Sequence, residues 1–223
     1  MFKLDSNILF KIAPEMQPAL ADKAAPLLVE ICPKYGINSA DIFHEFIANV
    51  LHESGCFSIL SENMNYSVHG LLSTFSRKRI SAADAELYGR KPGQKANERK
   101  LANILYGGEF GRRELGNVLP DDGWTFRGAG PIQGTGRKNI TEFTKFFNAL
   151  ERANYTPEEM AALLRKDIRV GIHFACWFFA IAKNLIQAAI DDNMNQIIKK
   201  INGAFIGKDD RYKFYEHAKR FVV

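Results

Sequence analysis

Apolar side chains recur every three or four residues along most of this chain, the period of helices with one buried face. Over residues 41–53 the apolar positions are Ile42, Phe43, Phe46, Ile47, Val50 and Leu51. They predict a helix capped by Asn38 or Ser39 and ended by Gly55. Residues 16–35 carry the same period, with breaks expected at Pro18, Pro26 and Pro33. Residues 57–79 read as irregular with short helical turns, 81–87 as a short helix and 97–106 as a firmer one. Thr156-Pro157-Glu158-Glu159 has the form of a helix start, with Thr156 and Glu159 as a capping box. Residues 167–182 are mostly apolar and predict the central helix. Segments 193–201 and 209–221 complete a mainly α pattern. Period-two alternation is nowhere long enough for a major sheet, and a small β-hairpin near 124–127 is the most that is expected.

At 223 residues and 46% hydrophobic content, the chain can bury a substantial core. A single catalytic domain over 1–223 is expected, with a smaller helical lobe about 57–122 and no residues left for a separate wall-binding domain. The formal charge of +5 suits an anionic partner without choosing among nucleic acid, membrane and bacterial wall. Its basic residues are scattered, apart from Arg77-Lys78-Arg79 and Lys199-Lys200, and fit a solvated surface. Cys32, Cys56 and Cys176 match no metal or disulfide pattern. Cys56 reads as a buried small hydrophobe rather than a nucleophile. The first residues lack the apolar core of a secretory signal. Residues 170–182, the most apolar run, fall short of the roughly 20 needed to span a bilayer.

Candidate chemistry begins at His52-Glu53-Ser54-Gly55, followed nine residues after Glu53 by Glu62. Glu53 falls near the last turn of its helix, beside the apolar stripe. Desolvation and the helix C-terminus would both favour its neutral acid. Glu62 lies in a polar, turn-rich segment where an ionised carboxylate is expected. Acid/base hydrolysis needs such an unlike pair, one to give a proton and one to activate water. Between Gly107 and Gly136 lie more than half of the seventeen glycines. Within that stretch, 124–136 offers close backbone approach, an aromatic ring at Trp124, and Gln133 and Thr135 as hydrogen-bonding groups. The phosphate-loop order is absent.

Several motifs together resemble glycoside hydrolase family 19. They are His52-Glu53-Ser54-Gly55, Glu62-Asn63-x-Asn65-Tyr66-Ser67, and Gly123-Trp124-x-Phe126-Arg127-Gly128-x-Gly130-x-Ile132-Gln133-x-Thr135-Gly136. Ile201-Asn202-Gly203 and Asp210-Arg211-Tyr212-Lys213-Phe214-Tyr215 follow in the expected order. The variant most similar is that of endolysins from phages of Gram-negative bacteria. The resemblance implies a lysozyme-like, two-lobed helical fold around a substrate cleft. It implies Glu53 as general acid and Glu62 as general base of an inverting glycosidase, a chemistry that sets its two carboxyls about 6.5–9.5 Å apart. Gln133 and Thr135 correspond to polar residues lining the cleft. Asn139, Asn202 and Arg211 correspond to polar residues around the carboxylates, and Tyr66 and Trp124 to sugar-contacting rings. Three positions depart from the endolysin pattern: Ala129 replaces an arginine, Gly134 a larger apolar residue, and Pro131 follows the chitinase branch. The segment Ala204-Phe205-Ile206-Gly207 departs as well. The short interval between the two acids favours peptidoglycan over chitin.

The expected function is therefore a monomeric, cofactor-free peptidoglycan hydrolase acting on β-1,4 glycan bonds, with no nucleic-acid partner. It would be made in a host cytoplasm without a signal peptide and reach the periplasmic wall through a membrane pore. Chitin hydrolysis, an interbacterial wall-degrading effector and a non-catalytic glycan-binding module are the alternatives. The basic C-terminal helix is expected mainly to pack, with a weak anionic-membrane contact as its second reading.

Overall fold

The computed structural model describes residues 2–223. It is mainly helical, as the periodicity predicts. The helices in chain order are α1 (Ser6–Ile12), α2 (Pro18–Ile31), α3 (Ala40–Ser54), α4 (Val68–Thr74), α5 (Ala82–Tyr88), α6 (Glu98–Leu105) and the single turn α7 (Gly108–Phe110). They continue with α8 (Asp122–Thr125), α9 (Arg137–Glu151), α10 (Pro157–Leu164), α11 (Ile168–Trp177), α12 (Ile186–Ile190), α13 (Met194–Asn202) and α14 (Lys208–Phe221). Among the described residues β structure is confined to isolated bridges, including Ser61 with Ala129 and Ala129 with Gly134. Among the described residues no helix is long and apolar enough to cross a membrane. The chain divides into two compact units, one of residues 1–60, 130–133 and 163–223, the other of 61–129 and 134–162.

In the first unit α14 packs along α3, α12 and α13 also lie against α3, and α1 and α11 pack on α2. Ser39 caps α3 through the amide of Ile42, and Gly55 ends it at φ +50. The expected one-sided stripe is wrong for this helix: every residue from Ile42 to Leu51 is buried, so α3 shares the centre with α11. Its polar residues must then find partners inside. His44 Nε2 lies 2.9 Å from the Val222 carbonyl, and Asn49 Nδ2 donates to the Glu45 carbonyl at 2.8 Å. On α14, Phe214, Tyr215 and Ala218 turn into the core. Gly171 on α11 has no room for a side chain, because a Cβ there would meet the Pro131 ring at 2.9 Å.

The second unit closes over Met64, Leu71, Ile80, Leu101 and Leu105, with Tyr66, Phe75, Tyr106 and Trp124 packed against them. Buried Asp122 is satisfied by Arg137 and by the amides of Val118 and Leu119. The capping box at Thr156 forms as expected, with Glu159 and Thr156 exchanging hydrogen bonds.

Several elements differ from the sequence reading. Pro18 opens α2 rather than breaking it, Pro26 lies inside it, and Pro33 falls in the tighter 3₁₀ turn Cys32–Tyr35. Within 57–79 a regular helix, α4, forms because the Ser67 hydroxyl caps it. The hairpin expected near 124–127 does not form: the end of α8 and the turn after it occupy that stretch, and the pairing occurs instead between Ala129 and Gly134. The long apolar helix changes at Phe178 into a wider π turn, Phe178–Ala182. All three cysteines are buried thiols, and burial pushes Cys56 up to about 11.

Glu45 on α3 is 1% exposed. Burial, reinforced by the facing Asp192 carboxylate, pushes it up to about 8. Asp192 itself is held low by the Tyr215 hydroxyl. The folded protein thus keeps a proton on Glu45 that an unfolded glutamate releases near about 4.3. Stability should fall as pH rises from there to about 8, with the loss complete above it. Glu45→Gln should melt with the wild type at pH 4 and above it at pH 8.5. Parallel melting curves across that range would show that Glu45 is not the group responsible.

Candidate active site

Glu53 occupies the last turn of α3, in the first unit. Three residues after it, from Gly55 to Phe57, the backbone is left-handed, with φ of +50, +57 and +63. Cys56 and Phe57 adopt this region without being glycine, a strained arrangement for a side-chain-bearing residue. Burial of Phe57 and its amide bond to the Ser54 hydroxyl, at 2.7 Å, hold it. The turn stops α3 abruptly and leaves Glu53 at its end, partly exposed.

The sequence reading places Glu53 beside an apolar stripe. Instead its carboxylate faces a cation. Arg211 on α14 is 1% exposed; its Nη2 donates to Glu53 Oε1, and its Nη1 donates to Asn49 Oδ1 at 2.7 Å. Glu45, Asn49 and Glu53 are spaced by four, which places them on one face of α3. Asn202 donates to the Ile206 carbonyl at 3.0 Å, and Arg211 Nε approaches the same oxygen at 3.4 Å. Asn202 therefore shapes the turn on which Arg211 rests. His52, which precedes the acid, pairs with Asp210 at 2.6 Å. Gly207 passes so close to that imidazole that a Cβ would fall 2.1 Å from it. Gln133 donates to the Gly130 carbonyl at 3.1 Å and reaches that of Ile59 at 3.4 Å.

Glu62 lies in the second unit. Its Oε1 accepts the Tyr106 hydroxyl and its Oε2 accepts the Gly128 amide at 2.9 Å; its own amide donates to the Gly128 carbonyl at 3.0 Å. Burial first, and the Glu62 charge second, push the Tyr106 phenol up, so it stays a donor. The same two influences raise Tyr66. Trp124 lies under the Arg127 guanidinium, 3.6 Å from the ring centre, and its carbonyl accepts from Arg127 at 2.8 Å. That leaves one face of the indole covered by protein. Asn139 donates to the Thr135 carbonyl at 2.9 Å, shaping the start of α9. Ala129 is fully buried and exchanges two main-chain bonds with Gly134, of 3.1 and 2.9 Å.

The structure thus gathers Glu53, Asn202 and Arg211 in one network, and sets Glu62 in another that acts on Tyr66. Asn49 and Tyr106 escaped the sequence reading. The four-residue step back from Glu53 could have singled out Asn49. Tyr106 lies 44 residues from Glu62 and carries no such signal. Among the described residues no group of three histidine, cysteine or acidic side chains could hold a metal ion.

No protein-family model matches the chain. A protein of Haemophilus influenzae described as glycosyl hydrolase family 19 domain-containing is 31% identical over 170 residues, which cover 76% of this chain and 74% of that protein. By this relationship the class is that of glycosidic-bond hydrolases. The chain belongs to glycosyl hydrolase family 19.

Removing the buried guanidinium strands both Asn49 and Glu53. Arg211→Met should lower unfolding free energy by about 3–5 kcal/mol, measured in urea at pH 7. Glu53→Gln keeps an acceptor for Arg211 and should lose less. An Arg211→Met protein as stable as the wild type would show the network to be dispensable for folding.

Proposed function

We propose that this protein is a peptidoglycan hydrolase of the endolysin type. It cuts β-1,4 bonds of the wall glycan with Glu53 as general acid and Glu62 as general base, and with inversion at the anomeric carbon. The observation that carries this reading is that each of the two motif glutamates is held and aimed by its own dedicated donors. A buried cation holds Glu53; a neutral phenol and an amide hold Glu62.

In this mechanism Arg211 engages Oε1 of Glu53 and leaves Oε2 to carry the proton given to the glycosidic oxygen. Glu62 takes a proton from the attacking water. Tyr106 and Gly128 aim its carboxylate, and among the described residues no cation bonds to it to compete for that proton. Water then adds to the anomeric carbon as the bond to the leaving sugar breaks. Two sequence features favour peptidoglycan as substrate: the short interval between the acids and the formal charge of +5, which suits an anionic wall. Chitin hydrolysis is the second reading, favoured by Pro131 alone.

Purified Gram-negative peptidoglycan should yield new reducing ends with the wild type and none with Glu53→Gln or Glu62→Gln, and mass analysis of the fragments should place muramic acid at those ends. Cleavage of chitin oligomers with peptidoglycan left intact would transfer the assignment to chitin. Tyr106→Phe removes one hydrogen bond to a charged group, worth about 1.5–3 kcal/mol, so kcat should drop roughly 10- to 100-fold. KM should stay nearly constant. A Tyr106→Phe enzyme with unchanged kcat would remove the phenol from the mechanism.

A further inference from the structure

The second unit holds a cavity of about 540 Å³ whose lining includes Lys78, Arg79, Arg113, Phe110 and Gly107, with Glu109 as its one acidic member. Its charge is built in by the fold. Arg77, the first of the basic triplet, turns back to cap α4 through the carbonyls of Leu72 and Phe75. Arg79 turns the other way, donates from Nε to the Leu105 carbonyl at 2.9 Å, and lies flat on the Phe110 ring at 3.4 Å. It is half-buried, and its bonds run to a neutral carbonyl rather than a carboxylate. Lys78 has no ion pair among the described residues. Arg113 pairs only with exposed Glu114, its neighbour in sequence. Three cations around one concavity, against Glu109 in the lining and Glu114 on Arg113, leave a positive potential that an anionic ligand would relieve.

One residue of the cavity wall, Arg79, also lies near the Glu62 site. Arg79 lies 5.7 Å from the centre of the Tyr106 ring, and the Tyr106 hydroxyl donates to Glu62. The cavity is thus linked to the proposed base through Arg79 and then Tyr106. The glycan backbone of chitin carries no charge to place there. Peptidoglycan does: its muramic acid bears a peptide stem with several free carboxylates, attached one ether linkage away from the sugar ring.

We propose that this cavity binds the carboxylates of the peptide stem, and that Lys78 and Arg113 are the residues by which the enzyme recognises a peptide-substituted strand. The identity of the ligand rests on the peptidoglycan reading above; the anion preference of the cavity does not.

The test is direct binding to the full chain, followed by NMR, of the free stem tetrapeptide L-Ala-γ-D-Glu-meso-diaminopimelate-D-Ala. Saturable binding is expected, weakening about tenfold in Lys78→Ala/Arg113→Ala and again as salt rises. Arg79 is left in place because it also holds Leu105. If the double variant melts early, Lys78→Glu alone, at an exposed position, serves in its place. Failure of the tetrapeptide to bind would overturn the proposal, as would equal binding of its fully amidated form. Inorganic phosphate competing as well as the peptide would make this a general anion site and overturn the peptide assignment. The reducing-end assay is independent of these results: a hydrolase that cuts peptidoglycan but ignores the tetrapeptide loses only this inference.

Discussion

A guanidinium taken out of water must be matched by charge and hydrogen bonds, or the fold that buries it fails. Arg211 is the largest of the fully buried side chains. Its three nitrogens are divided among Glu53, Asn49 and the Ile206 carbonyl, so one side chain ties α14, α3 and the turn after α13 together. The polar face of α3 makes sense only in that light. Asn49 and Glu53 are tolerable there because Arg211 from the C-terminal part of the unit answers both, and Glu45 because it keeps its proton.

The second carboxylate is fixed by the opposite strategy. Among the described residues the hydrogen bonds to Glu62 come from a phenol that burial keeps protonated and a backbone amide, with the Arg127 charge nearby. A carboxylate bound by neutral donors keeps its charge available to a third party, whereas one bound by a guanidinium has most of its field already answered. The two glutamates are thus distinguished by what surrounds them.

Much of the helical architecture was legible from period and punctuation, because those signals are local. Ser39, Gly55 and the Thr156 box set their helix ends as read, each by a hydrogen bond or a left-handed residue within four positions. What could not be read depends on distant partners. That α3 is buried all round follows from helices far along the chain packing against it, and the partner of Glu53 lies 158 residues away. Proline was misjudged for a different reason: Pro18 sits at a first helical position, where its missing amide is harmless. The candidate site was half visible. The glutamates, Asn202 and Arg211 stood out by motif, but Tyr106 is a lone tyrosine among seven, and nothing local marks it as the partner of Glu62.

The order of synthesis gives the buried arginine another meaning. The first unit is interrupted in sequence: it begins with residues 1–60 and resumes in earnest only at 163. Glu53 leaves the ribosome 158 residues before Arg211, a delay of roughly 8–30 s at ordinary elongation rates. Throughout that interval α3 has no partner for its polar face and cannot settle into its core, while most of the second unit is already available to fold. The polar face around Glu53 therefore stays unassembled until the segment carrying Arg211 has been made, so a prematurely terminated copy lacks that half of the candidate site.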